Sequence, residues 1–395
     1  MDALRDISPA VAERQLLARF WQDARQFWSG RSAGTAWSLT VFLVSLVTVQ
    51  LFVQYLLNMW NRHFFDALAM RDAVALWRQA GVFIVLAALS TILAATSVWG
   101  RMTTQRKWRE SVTRTVIKQG LADSHFRLLD VGKGSENPEY RISEDVRIAT
   151  DSPVDLVLAF LSSVLTSATF FSVLWQVGGT LTFRALGQTW SIPGYLVIAV
   201  TIYSSLFSAM MIVVGRSLTE VIEHKNQSEA EFRAAADLLR RRPSAKTESE
   251  TPDRRTLWLA VHGVLLQWRN LCWQLVRTTV VSHANFLLAP VVAWFLCAPK
   301  YLAGTMSLGE LTQAAAAFVT VQTAFNWLVD NYQRLADWRS SVHRVATLLI
   351  AIDAFDAADD KGEISAGSSR EPASDRSPTN AASVLRMTST GTAST

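Results

Sequence analysis

The fold of this chain is organised around a short charged stretch that reads Glu136-Asn137-Pro138-Glu139-Tyr140-Arg141-Ile142-Ser143-Glu144-Asp145-Val146-Arg147. We call residues 136–147 the charged turn. It has the features of a helix N-terminus, because Asn137 is a good N-cap and Pro138 suits the first helical position. Glu139 then favours the positive end of the helix dipole. The stretch therefore predicts the start of a helix.

Two charge pairs follow this start. Arg141 faces Asp145 at i,i+4, and Glu144 faces Arg147 at i,i+3, and both spacings bring opposite charges together on a helix surface. On its charge pattern alone, the charged turn is a solvated surface helix. Its place between two long hydrophobic segments favours a different interpretation, which depends on the rest of the chain.

Six uncharged segments decide the class of protein. Of the 395 residues, 50% are hydrophobic and only 18% are charged, and about 20 apolar residues suffice to cross a bilayer. The sequence thus predicts an all-α membrane protein with six transmembrane helices, and it gives no support for a nucleic-acid partner. The uncharged segments are Ser32–Asn61, Gln79–Gly100, Leu156–Phe183, Ala185–Gly215, Thr278–Pro299 and Leu311–Val329.

The connectors between these segments differ sharply in charge. Residues 101–155 carry ten Lys and Arg, and residues 216–277 carry eleven, whereas the third and fifth connectors carry only Arg184 and Lys300. Positively charged connectors remain on the cytoplasmic side. We therefore expect both termini and both long connectors in the cytoplasm.

The long connectors also have the composition of helices. Residues 101–129 contain no Pro and one Gly, and residues 216–242 contain neither, so each extends its span by roughly 40 Å at about 1.5 Å per residue. Six spans with such extensions are typical of one half of an ABC-exporter-type transmembrane domain. The charged turn lies where the first extension reverses. We therefore interpret it as a coupling helix that contacts an ATPase, with Asn137, Pro138, Glu139, Arg141, Glu144, Asp145 and Arg147 as its functional residues.

The chain divides into three predicted regions. Residues 1–30 form a polar tail and an amphipathic helix at the membrane interface, residues 31–352 form the six-helix domain, and residues 353–395 have the composition of a disordered tail. No cleavable signal peptide is apparent. Cys272 and Cys297 lack the spacing of a metal site, and no metal is expected. The apolar face of the amphipathic helix consists of Leu16, Leu17, Phe20, Trp21, Ala24, Phe27 and Trp28.

Polar residues in the spans are candidates for a translocation pathway, because polar groups that face lipid are costly. In the sixth span, Gln322, Asn326 and Asp330 are spaced i, i+4, i+8, and Asn331 lies beside them. Hydrogen bonding between helices within the domain explains the same residues equally well.

Titratable residues near the spans give three further candidates. His283 is the one titratable side chain well inside a span, where a proton relay competes with a neutral, hydrogen-bonded histidine. Glu310, at one end of the sixth span, is assigned to the pathway, although snorkelling to water also explains it. Asn61, Arg62 and Asp66 are assigned to an outer mouth, although Arg62 and Asp66 also form an ordinary i,i+4 pair.

Three segments resemble one known family. Leu57-Asn58-Met59-Trp60-Asn61-Arg62-His63-Phe64-Phe65-Asp66-Ala67-Leu68 is similar to a signature of the SbmA/BacA-like transporters, which are relatives of the peroxisomal ABC half-transporters. The segments Asn137–Asp145 and His224-Lys225-Asn226-Gln227 resemble two further segments of that family. The resemblance covers roughly residues 15–350.

The resemblance implies a homodimeric permease of the bacterial inner membrane. It implies import of antimicrobial-type peptides, bleomycin-like glycopeptides or, in some members, cobalamin, driven by an attached ATPase domain or by protons. This chain departs from ATPase-bearing members in lacking a P-loop, since the nearest string, Gly132-Lys133-Gly134, has neither the first glycine nor the hydroxyl residue. We therefore expect no enzyme activity and no bound cofactor, with ATP held by a separate or missing ATPase domain.

A second departure concerns residues 240–252, where ATPase-linked relatives have a second helical turn. Here Pro243, Pro252 and a polar run replace it, which indicates either a degenerate ATPase docking site or a flexible loop that still functions. The main hypothesis is an ATP-coupled importer. The alternatives are proton-driven uptake by this chain alone and a membrane docking protein that has ceased to transport.

Overall fold

The computed structural model describes residues 18, 20–22, 24–30, 32–121, 141–185, 188–241 and 252–359. It is a bundle of long helices, and the predicted all-α membrane architecture is confirmed. The helices are α1 (Gln26–Ser29), α2 (Ala33–Ala69), α3 (Ala73–Leu121), α4 (Val146–Gly178), α5 (Tyr195–Gly215), α6 (Leu218–Arg241), α7 (Pro252–Leu302), α8 (Leu308–Phe325) and α9 (Trp327–Asp359), with a π-helical turn at Arg141–Asp145.

Five of the six predicted spans lie on helices long and apolar enough to cross a membrane, namely α2, α3, α4, α5 and α7. The sixth predicted span lies on α8, which has only 18 residues and is less apolar. This helix is central: it packs against α2, α4, α5 and α7, and Gln313, Phe318 and Val321 are at most 1% exposed. Because its neighbours shield it from lipid, α8 tolerates polar residues that a lipid-facing helix does not.

A β-hairpin connects α4 to α5, where the sequence predicts a loop near Gly187–Gly194, with Pro193 breaking the pattern, between uncharged segments that end at Phe183 and start at Ala185. Strands β1 (Thr180–Ala185) and β2 (Gln188–Pro193) pair antiparallel, with Thr180 opposite Pro193. Gly179 and Gly194 flank the hairpin with positive φ angles of 57° and 61°. These left-handed positions end α4 and start α5, so a hydrophobic run without charges was insufficient to predict helix here.

The two ends of the bundle have separate cores. We call the end with the hairpin the hairpin side and the opposite end, where the charged helices project, the extended side. On the hairpin side, buried residues of α4, α5, α7 and α8 form one cluster around Phe318 and Leu196. On the extended side, Trp108, Val146 and Val345 anchor a second cluster.

The predicted amphipathic helix contributes to the second cluster. Phe20, Ala24 and Phe27 are at most 2% exposed there, and the indole N–H of Trp108 donates to the carbonyl of Ala24 at 3.1 Å. Trp21, by contrast, is 52% exposed. Much of this apolar face therefore packs on protein, and its interfacial placement stays a prediction. Leu16 and Leu17 lie outside the described residues.

On the extended side the helices form two groups. The first contains α3, α4 and α9, which pack on one another. The second is an antiparallel arm of α6 and α7, whose extensive contacts are with each other. Helix α9 continues to Asp359, so residues 353–359 of the predicted disordered tail are helical, consistent with their alanine content. The rest of that tail and the predicted second turn at 242–251 lie outside the described residues.

The positive φ angle of Gly194 generates a stability prediction. A Cβ atom at this position would overlap the indole ring of Trp175 in addition to the left-handed strain. We expect Gly194→Ala to destabilise the protein by about 1–3 kcal/mol, seen as a lower thermal unfolding midpoint in detergent. The matched control is Gly263→Ala in α7, where nothing lies within 4 Å of the added atom, and it should be neutral or slightly stabilising. Equal midpoints for the two variants would contradict this assignment.

Candidate functional site

A polar cavity lies between α2 and α8 inside the membrane bundle. Its volume is about 270 Å³, enough for several water molecules at roughly 30 Å³ each. Polar side chains alternate with apolar walls around it. The lining residues are Gln54, Leu57, Asn58, Trp60, Asn61, Phe170, Ala316 and Thr320.

Asn58 is the most buried polar residue of this lining, at 5% exposed. Its Nδ2 donates to the backbone oxygen of Gln313 at 3.2 Å, which fixes the amide and leaves Oδ1 without a hydrogen-bond partner. The Oδ1 of Asn61 and the Oε1 of Gln313 are also buried without a partner. Unpaired carbonyl oxygens in a hydrocarbon environment are costly. Two of these residues, Asn58 and Asn61, belong to the cavity lining, so the cavity is a candidate site for a polar occupant.

The α2 side of the cavity was missed by the sequence reasoning, which assigned only Asn61 and placed it in an outer mouth. A signal was present: Gln50, Gln54, Asn58 and Asn61 recur at i, i+4, i+8 and i+11 in an otherwise apolar span. This spacing puts four amides on one helix face. The structure packs the end of that face that carries Asn58 and Asn61 against α8.

The residues predicted on the sixth span lie elsewhere. Gln322 follows Thr320 by two residues, which is about 200° around a helix, so it does not join the cavity lining; it is 4% exposed with an unpaired Nε2. Asn326 marks the break between α8 and α9. Asp330 is exposed, and Asn331 donates to the Trp327 carbonyl at 2.9 Å. Their role in a pathway stays a prediction.

The predicted mouth residues join α2 to the start of α8. Arg62 donates to Glu310 at 2.8 Å, and the backbone N–H of Gly309 donates to Asp66 at 2.8 Å. A Cβ on Gly309 would collide with the Arg62 carbonyl, so glycine permits this close approach. Arg62 and Asp66 are 3.9 Å apart, and thus the cluster is a helix junction as well as a candidate mouth.

Glu310, predicted on the pathway, is held in this junction. It forms a capping box with Ser307: the Ser307 hydroxyl accepts from the Glu310 N–H and the Glu310 carboxylate accepts from the Ser307 N–H, both at 3.0 Å. The sequence Ser-x-x-Glu before an apolar run is the signature of this cap. Glu310 is therefore about 18 Å along the helix from Gln322, at 1.5 Å per residue.

His283 stands apart from the cavity. It is exposed on α7 and lies beside Phe286, with ring centroids 6.1 Å apart. In the same helix, Asn285 is buried and its Oδ1 accepts from the Tyr203 hydroxyl at 3.1 Å. The described residues contain no group of three His, Cys, Asp or Glu placed to hold a metal ion.

The charged turn is only partly described. Asn137, Pro138 and Glu139 lie outside the described residues, as does the side chain of Arg141. From Arg141 the chain forms a π-helical turn that passes directly into α4, so this part is continuous with the third span rather than a separate short helix. A single π turn inserts extra backbone into a helix and is frequent at functional sites.

Two carboxylates of the charged turn have opposite environments. Glu144 is partly exposed and accepts from Arg147 at 2.6 Å, the predicted pair, and this hydrogen bond lowers the pKa of the Glu144 carboxyl, which keeps it ionised at neutral pH. Asp145 is completely buried and is bound by Arg344 of α9 at 2.7 Å. The sequence reasoning had paired Asp145 with Arg141 and had given Arg344 no role.

Comparisons with known proteins agree with this architecture. Residues 26–242 match the family described as ABC transporter transmembrane region 2. The inner membrane ABC transporter ATP-binding protein YddA of Escherichia coli is 25% identical over 86% of this chain and 61% of its own length. ABC transporter D family member 2, chloroplastic, of Arabidopsis thaliana is 20% identical over 84% of this chain and 45% of its own length.

The chain thus spans 61% of the first relative and 45% of the second. An uncharacterized ABC transporter ATP-binding protein of Haemophilus influenzae is 22% identical over 84% of this chain and 57% of its own length. These matches support the ABC part of the resemblance seen in the sequence. The narrower SbmA/BacA-like assignment stays a prediction.

The Glu310 junction generates a second stability prediction. Glu310→Gln keeps an oxygen for the Ser307 cap but removes the ion pair with Arg62, whereas Glu310→Ala removes both. We expect Glu310→Ala to cost about 1–2 kcal/mol and Glu310→Gln less, measured by thermal unfolding in detergent. The matched control is Glu110→Gln, which breaks exposed pairs with Lys107 and Arg114 and should cost under about 0.5 kcal/mol. A midpoint for Glu310→Ala equal to that control would show that the junction is not stabilising.

Proposed function

The chain belongs to the ABC transporter transmembrane region 2 family, and from this premise we propose that it imports antimicrobial-type peptides or similarly bulky hydrophilic solutes, such as bleomycin, across the bacterial inner membrane. The observation that carries the proposal is the polar cavity between α2 and α8. A hydrophilic solute crosses a bilayer only where the protein replaces the hydrogen bonds that water supplied. The cavity lining supplies the side-chain amides of Gln54, Asn58 and Asn61 for such hydrogen bonds.

The size of the lining suits part of a large solute. A cavity of about 270 Å³ is smaller than a typical small-molecule pocket of roughly 300–1,000 Å³, so it holds one group of a bulky solute. The side-chain amides in the lining, those of Gln54, Asn58 and Asn61, are of the chemical type that pairs with the N–H and C=O groups of peptides and glycopeptides. The indole of Trp60 and the ring of Phe170 supply apolar walls.

Energy is proposed to come from ATP hydrolysed by a separate or missing ATPase domain. Two of the relatives above are named as ABC transporter ATP-binding proteins, and the third is named as an ABC transporter D family member. The present sequence has no P-loop. In this scheme the charged turn contacts the ATPase. The basic connectors support a cytoplasmic location of that turn and of both termini, and the extended side is then the cytoplasmic one.

A homodimer is the proposed assembly. The arm of α6 and α7 carries large exposed apolar residues on the extended side, including Trp258, Leu259 and Leu265. Further along α7, a groove of about 410 Å³ is lined by Trp268, Leu271, Cys272, Leu275, Val276, Thr279 and Val280. Beyond the bilayer such a surface is covered by protein. A second copy of this chain supplies it and encloses the pathway that one bundle leaves open.

The power source is tested by bleomycin uptake in cells that express this chain, with and without a protonophore and with and without a co-expressed ABC ATPase domain. We expect uptake only with the ATPase domain and no effect of the protonophore. Uptake by the chain alone that the protonophore abolishes would establish proton coupling instead. No uptake in any condition, with folded protein in the membrane, would favour the docking protein that has ceased to transport.

The cavity is tested in the same assay under the condition that supports uptake. Asn58→Leu conserves volume and removes both polar atoms, so we expect uptake to fall at least about tenfold, a loss of about 1.4 kcal/mol or more of stabilisation for the passing solute. The matched control is Gln176→Leu, an exposed amide of α4 that bonds only Ser172 in its own helix. Uptake should be unchanged there. Equal uptake by both variants would remove the cavity from the pathway.

A further inference from the structure

We infer that Arg344 positions the described part of the charged turn, Arg141–Asp145, and that α9 is thereby a second element, beside the continuous α4, that carries movement of the turn to the polar cavity. The inference rests on the proposed function, because it supposes that an ATPase acts on the turn. It adds a residue, Arg344, and a route through the fold to that proposal.

Arg344 binds both carboxylate oxygens of Asp145 in a bidentate ion pair. Arg344 Nε lies 3.0 and 2.9 Å from the two carboxylate oxygens of Asp145, and Nη2 lies 2.7 Å from Oδ1. The remaining guanidinium donors reach Ser340 at 2.6 Å and Ser341 at 3.0 Å. Both hydroxyls belong to α9 itself, so they hold the guanidinium group in the orientation in which it binds Asp145. A bidentate pair of this kind fixes direction as well as distance.

The carboxylate side of the pair is shielded from water. Asp145 and its neighbours Val146 and Ala149 are 0% exposed, as are Val342 and Val345, which flank Arg344 on α9, whereas the Arg344 side chain is 34% exposed. A buried carboxylate left without its partner is heavily penalised. The pair therefore favours one position of Asp145 relative to α9.

A second charge cluster extends the same connection towards the membrane. Asp155, ten residues after Asp145 on α4, accepts from Arg334 of α9 at 2.7 Å and from Gln105 of α3 at 3.0 Å. Arg101 lies 3.4 Å away. These contacts hold α3, α4 and α9 as one group. The arm of α6 and α7 does not belong to this group.

Helix α9 leads directly to the cavity. It begins at Trp327, next to the break at Asn326, and α8 before that break carries Ala316 and Thr320 in the cavity lining. The N–H of Asp330 still donates to the Asn326 carbonyl at 2.9 Å, so the two helices remain connected across the break. A displacement of the turn is transmitted through Asp145 and Arg344 to α9 and then to α8.

The test measures the position of the turn and transport separately. Spin labels are placed at the exposed positions Ser143 and Ala336 in a Cys272→Ser background, leaving buried Cys297, and the full chain is reconstituted in lipid nanodiscs. We expect a narrow distance distribution in the parent chain and at least a twofold broader one in Arg344→Gln. Arg344→Lys, which keeps the charge but loses the fork, should fall between them.

The matched control is Arg114→Gln, which removes an arginine from an exposed ion pair with Glu110 on α3. It should leave the distribution unchanged. In the bleomycin uptake assay with the ATPase domain, we expect Arg344→Gln to lose at least tenfold and Arg114→Gln less than twofold, while bleomycin binding to the purified Arg344→Gln protein stays within twofold of the parent. Retained binding with lost uptake separates a positioning role from general unfolding.

Three results would overturn the inference: a distribution in Arg344→Gln as narrow as in the parent, parental uptake despite a broadened distribution, or equal broadening in the control Arg114→Gln. Failure of the proposed function is recognised separately, because the unsubstituted chain then shows no uptake in any energy condition. In that case the label distances alone still decide whether Arg344 positions the turn.

Discussion

A polar group inside the bilayer can form hydrogen bonds only with other protein atoms. The structure depends on how these hydrogen bonds are supplied. Helix α8 carries Gln313, Thr320 and Gln322, so it occupies the centre of the bundle, where four helices surround it. The longer helices around it are apolar enough to face lipid. The same constraint makes the unpaired oxygens of Asn58 and Asn61 informative, since a bundle retains such groups at a cost only where they have a use.

On the extended side the helices are joined by charge as well as by apolar packing. Asp145 in the π-helical turn and Asp155 on α4 lie ten residues apart, and each is bound by an arginine of α9. The Asp145–Arg344 pair has a bidentate geometry around a buried carboxylate, whereas the Asp155–Arg334 pair is partly exposed to solvent. Together with the cluster around Trp108, they make α3, α4 and α9 a group distinct from the arm of α6 and α7.

The charged turn shows which interactions can be predicted from the sequence and which depend on the tertiary structure. Its spacing predicted a helix start and the Glu144–Arg147 pair, because both are local interactions within four residues. The partner of Asp145 lies 199 residues away, and no local pattern distinguishes Arg344 from the other arginines of the chain. The same limit applies to Glu310, whose Ser307 cap is readable from the sequence, whereas its pair with Arg62 arises from the meeting of α2 and α8.

The sequence by itself determined the membrane class, the positions of the apolar segments and the long charged extensions, because hydrophobic length and charge distribution are properties of composition along the chain. It also contained the amide spacing of α2, although the significance of Asn58 was not recognised. Only the tertiary structure decided which helix is central, that Gly179 and Gly194 turn an uncharged run into a hairpin, and which polar faces meet. Those outcomes depend on packing between distant segments and on backbone conformations that hydrophobic periodicity does not encode.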